Sequence, residues 1–192
     1  MRIKWFSLIR ITGLLLVLLY HFFQTVFPGG FFGVDVFFTF SGFLITSLLL
    51  EEFEQKGKID ILGFFRRRFY RIFPPVVLMV LVVMPFTFLV RQDYVAGIGG
   101  QIAGVLGFMT NFYEMLTGGS YESQFIPHLF VHNWSLAVEV HYYVLWGLAV
   151  WFLAKRAKKS GQLRGMIFLL SSATSLVRLL SMFIGSFIVS SY

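Results

Sequence analysis

LIRITGLLLVLLYHFFQTVF, residues 8–27, is an apolar run interrupted by Arg10 near its start and His21 near its end. At about 20 residues it is long enough to cross a bilayer as a helix. Arg2 and Lys4 precede it and Pro28-Gly29-Gly30 closes it, which at first resembles a secretory signal. A signal would show a shorter apolar region and a small-residue cleavage site. Neither is present, and a second apolar run begins at once, so the segment reads as a retained transmembrane helix.

The rest of the chain supports a bilayer as its solvent. Of the 192 residues, 57% are hydrophobic, 19% aromatic and 13% charged, against about a quarter charged in an ordinary soluble domain. Soluble globular, disordered, collagen-like and coiled-coil classes are thereby excluded. Cysteine is absent, which removes thiolate catalysis, disulfides and Cys-based metal centres. The formal charge of +7 comes from clusters beside apolar spans, where it marks the cytoplasmic leaflet rather than nucleic acid.

Further apolar runs cover 31–50, from Pro74-Pro75 to Val90, 95–113, 136–154 and 166–189. The prolines suit a helix start. The class is therefore all-α: a polytopic membrane helix bundle of five to six hydrophobic segments, in a single domain over 1–192. The stretch 95–113 is the ambiguous one. If it crossed fully, the basic loops 51–73 and 155–164 would face opposite sides, against the positive-inside rule. With Gly97, Gly99, Gly100, Gly104 and Gly107 it can instead re-enter and leave on its side of entry. The basic loops and the N-terminus are then cytoplasmic, and 114–133 is outside. The alternative is six full spans with one basic loop external.

Ionisable side chains at membrane depth are costly and need partners. Arg10, His21, Asp35, Glu139 and Arg178 fall in this class, with His141 a weaker member. At about 100° per residue, Arg10 and His21 lie within about 20° of one face, roughly 16 Å apart along the axis. Alone, Arg10 reads first as a snorkelling side chain, and His21 equally as an interhelical hydrogen-bonding residue. Asp35 and Glu139 start their helices at a depth similar to His21, so the three form a candidate acid–base pocket. Helix-terminus electrostatics explains the two acids as well. Glu139 shares a face with Tyr142 and Tyr143. Ser41 has no base beside it in sequence, and no zinc motif, EF-hand loop, phosphate loop or nucleophile elbow is present.

Four stretches taken together, RITGLLLVLLYH (10–21), FFGVDVFFTFSGFLITSLLLEE (31–52), FFRRRFYRIFPP (64–75) and HNWSLAVEVHYYVLW (132–146), resemble the membrane-bound acyltransferase-3 family in order and spacing. The resemblance spans Ile9 to Tyr143. It implies an O-acyltransferase of the bacterial plasma membrane that moves an acyl group, most often acetyl, from acyl-CoA to a hydroxyl of an extracytoplasmic glycan. By motif, His21 matches the essential histidine and Arg10 its paired arginine. Arg68 and Arg71 match the cytoplasmic Arg-x-x-Arg that meets the donor, and Glu139 matches the acid of Trp-Ser-Leu-x-x-Glu. His21, with Glu139 or Asp35 orienting it, is then the catalytic group, and Arg10, Arg68 and Arg71 bind donor. Acetyl-CoA enters as substrate, and no bound cofactor or metal is expected.

Family members resemble a bundle with several more helices, so the reading takes this chain as truncated at its C-terminus, with membrane lipid and a partner chain or oligomer completing the bundle. A non-catalytic membrane subunit or inactive fragment is the competing class. A proton channel or transporter is a third, disfavoured because no inverted repeat is visible.

Overall fold

Backbone polar groups in lipid have no partner but each other, so apolar spans fold as helices. Among the described residues every regular element is helical. The structure, a computed structural model, describes residues 4–23, 25–26, 32–89, 97–117 and 128–190, with backbone alone for 4–7, 10, 88 and 177–190. The elements are α1 (Lys4–Phe22), α2 (Phe32–Lys56), α3 (Ile61–Val83) continued by a 3₁₀ helix (Met84–Leu89), α4 (Ile98–Leu106), α5 (Thr110–Thr117), a 3₁₀ turn (Val131–Asn133), α6 (Trp134–Arg156) and α7 (Ser160–Ser190).

Phe32–Lys56, Ile61–Thr87 and Val131–Arg156 are long and apolar enough to cross a membrane, whereas the apolar stretch Ile11–Phe22 is shorter. Three such helices, rather than five to six, are found among the described residues. Leu78, Leu81, Leu145, Phe168 and Leu169 are all more than 60% exposed, an outward apolar surface that lipid would cover.

The chain forms two compact units, Met1–Ile45 with Leu62–Leu145, and Thr46–Ile61 with Trp146–Tyr192. In the first unit α1 and α2 meet at two glycines. A Cβ on Gly33 would lie 2.6 Å from the Gly13 carbonyl oxygen, closer than any side chain allows. Small residues at such a crossing let backbones approach where no hydrophobic force separates protein from lipid. Along α2 and α6, Phe38 pairs with Trp134 at 6.5 Å between ring centroids, Ser41 bonds Glu139 and Gly42 lies beneath the Tyr142 hydroxyl. Contacts that rise together in number mean that α2 and α6 run parallel, so the basic turns after them leave at the same end.

Two expectations are corrected in α3. Pro74 and Pro75 lie inside the helix, not at its start, and Arg66–Arg71 belong to its first turns rather than to a loop. Proline costs a helix its i−4 bond, but Arg, Leu and Phe upstream are adequate helix formers and membrane helices tolerate such breaks. The α-helix ends at Val83, before Pro85.

Within the stretch 95–113, the described residues 97–113 form not one helix but parts of two, α4 and α5. Gly97, which caps α4, and Gly100 and Gly104 within it form a stripe against Tyr113 and Thr110 of α5, and the Tyr113 hydroxyl donates to the Gly97 carbonyl at 3.3 Å. The start of α4 thus meets the middle of α5 and its end meets the start of α5, an antiparallel hairpin that turns the chain back towards the end at which α4 began. Nine residues of α4 span roughly 14 Å, less than half of a bilayer core of about 30 Å. The tip closes by bonds from Met109 N–H to the Gly104 carbonyl (2.7 Å) and from Phe108 N–H to the Val105 carbonyl (3.2 Å). That is a Schellman closure, with Phe108, not Gly107, in the left-handed position at φ 54°. Packing explains the exchange: Phe108 lies against a buried cluster of this unit, Val76, Val80, Val105 and Phe130. The Gln101 side chain, 1% exposed, accepts the Phe130 N–H at 3.3 Å.

In the second unit, Leu49, Val150, Leu163 and Ile167 are buried. The Trp146 indole N–H donates to Thr46 Oγ1 at 2.8 Å, and Arg164 pairs with Glu54. Lys155 and Arg156 fold back over Trp151 and Phe152. The acidic end of α2 and the basic start of α7 are thus together.

Candidate active site

His21 stands on the last turn of α1. Its Nδ1 lies 2.8 Å from the Val17 carbonyl oxygen one turn back. A carbonyl can only accept, so Nδ1 carries the proton, and in the neutral ring Nε2 holds the lone pair. The helix backbone therefore sets the tautomer that a base needs. The ring opens on a cavity of about 260 Å³ lined by Val17, Leu18, Tyr20, Val34, His132, Trp134 and Ser135. His132 meets it edge to face, with ring centroids 5.1 Å apart.

His132 reaches this place on a hydrogen-bonded turn. Val131 N–H donates to the His128 carbonyl (3.1 Å) and Asn133 N–H to the Phe130 carbonyl (3.0 Å). The Asn133 side chain donates to the same carbonyl at 3.2 Å, and Ser135 Oγ to that of His132 at 3.3 Å.

Glu139 lies one to two turns further along α6, half-buried, where it accepts hydrogen bonds from Ser41 Oγ of α2 and from the Tyr143 hydroxyl. The face shared by Glu139 and Tyr143 is the one anticipated from their spacing of four. Arg68 of α3 sits over the Tyr143 ring at 5.7 Å and over Phe64 at 5.6 Å, within cation–π range. Arg68, Tyr143, Phe65, Ile72, Leu106 and Phe108 border a second cavity of about 270 Å³.

Of the sequence candidates, Arg68 and Glu139 are brought together through Tyr143. Arg71 is one turn beyond Arg68 and exposed. Asp35 is also exposed, on a groove with Ile9, Phe32, Val36, Thr39 and Phe40, whereas it is Val34 that lines the His21 cavity. The acceptor that orients His21 is the Val17 carbonyl. The side chains of Arg10 and Arg178 lie outside the described residues. His141 packs on Phe112 at 5.4 Å. His132 and Ser41 were missed as site residues. Both stand inside quoted motifs, but pairing them with His21 and Glu139 requires knowing which helices are neighbours. His128 was missed too; its Nδ1 lies 2.8 Å from Glu114 Oε2, with both side chains largely buried. No group of three or more His, Asp or Glu able to hold a metal occurs among the described residues.

A family model described as an acyltransferase domain matches residues 3–191. The chain belongs to the acyltransferase-3 family. It is 35% identical over 142 residues to the O-acetyltransferase OatA of Staphylococcus aureus strain NCTC 8325, a match covering 74% of this chain and 24% of the relative. OatA of strain COL gives the same figures. The chain thus spans about a quarter of the length of the curated relatives it matches. No solved structure matches it.

Proposed function

We propose that this chain forms the acyl-transfer domain of a membrane O-acetyltransferase in the bacterial plasma membrane, taking acetyl from acetyl-CoA to a hydroxyl of an extracytoplasmic glycan. The observation that carries this reading is His21: an imidazole fixed through Nδ1 to a backbone carbonyl, with Nε2 as the basic nitrogen, on a cavity of about 260 Å³. The family membership and the O-acetyltransferase relatives support the reaction class.

In the general-base form of the reaction, His21 Nε2 takes the proton of the acceptor hydroxyl while its oxygen attacks the thioester carbonyl. The C–O bond forms, the C–S bond breaks, and CoA leaves as the thiol once the proton reaches sulfur. In the covalent form His21 first accepts the acyl group itself. Arg68 and Arg71, one turn apart on α3, and Arg10 at the start of α1 supply cations for the phosphates of the donor, which guanidinium recognises through paired hydrogen bonds. The N-terminus and the ends of α2 and α6 are then cytoplasmic, where acyl-CoA is available. Glu139, with both its donors on Ser41 and Tyr143, works at one remove by fixing α6 beside α2.

The test is transfer of radiolabelled acetyl from acetyl-CoA to a membrane or cell-wall fraction by cells expressing the chain, compared with His21→Ala at matched expression. The label should be lost with His21 while insertion is unchanged. Equal labelling by both would refute a catalytic His21, and loss of the protein itself would mark a structural histidine.

A further inference from the structure

His128 is committed to Glu114 and His141 to the Phe112 ring, whereas His132 faces His21. The two rings are 5.1 Å apart between centroids and inclined at 71°. They come from distant parts of the chain, α1 and the 3₁₀ turn before α6, and share one cavity wall with Tyr20 and Ser135. The turn that carries His132 is fixed by four hydrogen bonds, from Val131, Asn133 N–H, Asn133 Nδ2 and Ser135. Trp134 beside it is held against Phe38. His132 thus presents, beside the ring proposed as base, a second imidazole that can accept a proton at one nitrogen and donate one from the other.

We propose that His132 is the second proton-transfer residue of the site, relaying the proton from His21 to the departing sulfur. This rests on the acyl-transfer reading above. The His21 Nδ1–H is held by Val17, so the hydroxyl proton taken at Nε2 must leave from Nε2 before the next turnover. A neutral imidazole accepts at one ring nitrogen and gives from the other. His132 accepts the proton from His21 and delivers its own N–H to sulfur as the C–S bond breaks. One O–H and one C–S bond are broken, one C–O and one S–H bond are formed, and both rings end neutral.

The experiment measures acetyl transfer from acetyl-CoA across a range of pH by membranes carrying the full chain, either unaltered or as His132→Ala or His132→Gln, at matched expression. Each is assayed alone, with free imidazole, and with pyrrole, which has imidazole's shape but no basic nitrogen. Both variants should lose about hundredfold or more, the usual scale for a positioned acid–base group. Imidazole should restore His132→Ala by about tenfold while pyrrole does not, and the pH dependence should change shape because one of the two rings that carry the proton is gone. If His132→Ala fails to accumulate, His132→Gln carries the test, since an amide fills similar space without relaying protons. Transfer by either variant within about threefold of the unaltered chain would overturn the relay. So would a loss that imidazole and pyrrole relieve equally, or that neither relieves while the pH profile keeps its shape. Absence of transfer by the unaltered chain sinks the acyl-transfer reading and the relay with it, whereas full transfer by the variants sinks the relay alone.

Discussion

Glu139 shows how a single acid is tolerated at membrane depth. Its carboxylate takes one hydroxyl from its own helix, Tyr143, and one from α2, Ser41. The Arg68 guanidinium lies over the Tyr143 ring. Polar bonds between membrane helices contribute modestly, because the unfolded chain in lipid also finds partners. Ser41→Ala and Tyr143→Phe should therefore each lower stability by roughly 0.5–2 kcal/mol, read as a fall in the thermal midpoint of detergent-purified protein. The double variant should exceed their sum, since each single change leaves the acid one donor and the double change removes both. A midpoint unchanged in both single variants would contradict the role given to Glu139. The pairing with Tyr143 was legible, as a separation of four places both on one helix face. The pairing with Ser41 was not, because residues 98 apart reveal nothing about contact until the parallel course of α2 and α6 is known.

At the scale of elements, glycine spacing decides how closely helices pack. Gly33 has the Gly13 carbonyl where a Cβ would be, while nothing lies within 4 Å of a Cβ on Gly99. Gly33→Leu should destabilise the protein by roughly 1–3 kcal/mol through overpacking. Gly99→Ala, on the open side of α4, should be neutral or stabilise by up to about 1 kcal/mol through helix propensity. Thermal unfolding of the two variants side by side checks the contrast, and equal effects would argue against the α1–α2 crossing. The hairpin of α4 and α5 was half legible. Its glycines pointed away from a simple span, but its break was not placed, because Phe108 rather than a glycine takes the left-handed residue. Local chemistry favours Gly there by about 1–2 kcal/mol, and the core cluster around Phe108 outweighs that preference. The prolines of α3 misled for a similar reason: a rule about isolated helix starts yielded to a continuous span.

For the whole molecule, the absence of cysteine permits single-cysteine mapping without background. Lys58 follows α2 and Lys158 follows α6, both exposed, and the parallel course of the two helices sends these turns to one end. On the proposed topology, Lys58→Cys and Lys158→Cys should both react with a membrane-impermeant maleimide from one face only, the cytoplasmic one. Reaction of the two lysine positions from opposite faces would contradict the parallel course of α2 and α6 and favour the arrangement in which 95–113 crosses. What the sequence determined by itself was the solvent, the helical class and the family, because each depends on composition, on run length against bilayer thickness, or on motifs contiguous along the chain. The tertiary structure decided which groups meet: His21 with His132, Ser41 with Glu139, and Asp35 on a groove apart from the His21 cavity. The physical reason is that short-range periodicity fixes the face on which a side chain lies. The neighbour opposite that face follows from helix order, crossing and direction, which are set by packing between residues far apart in the chain.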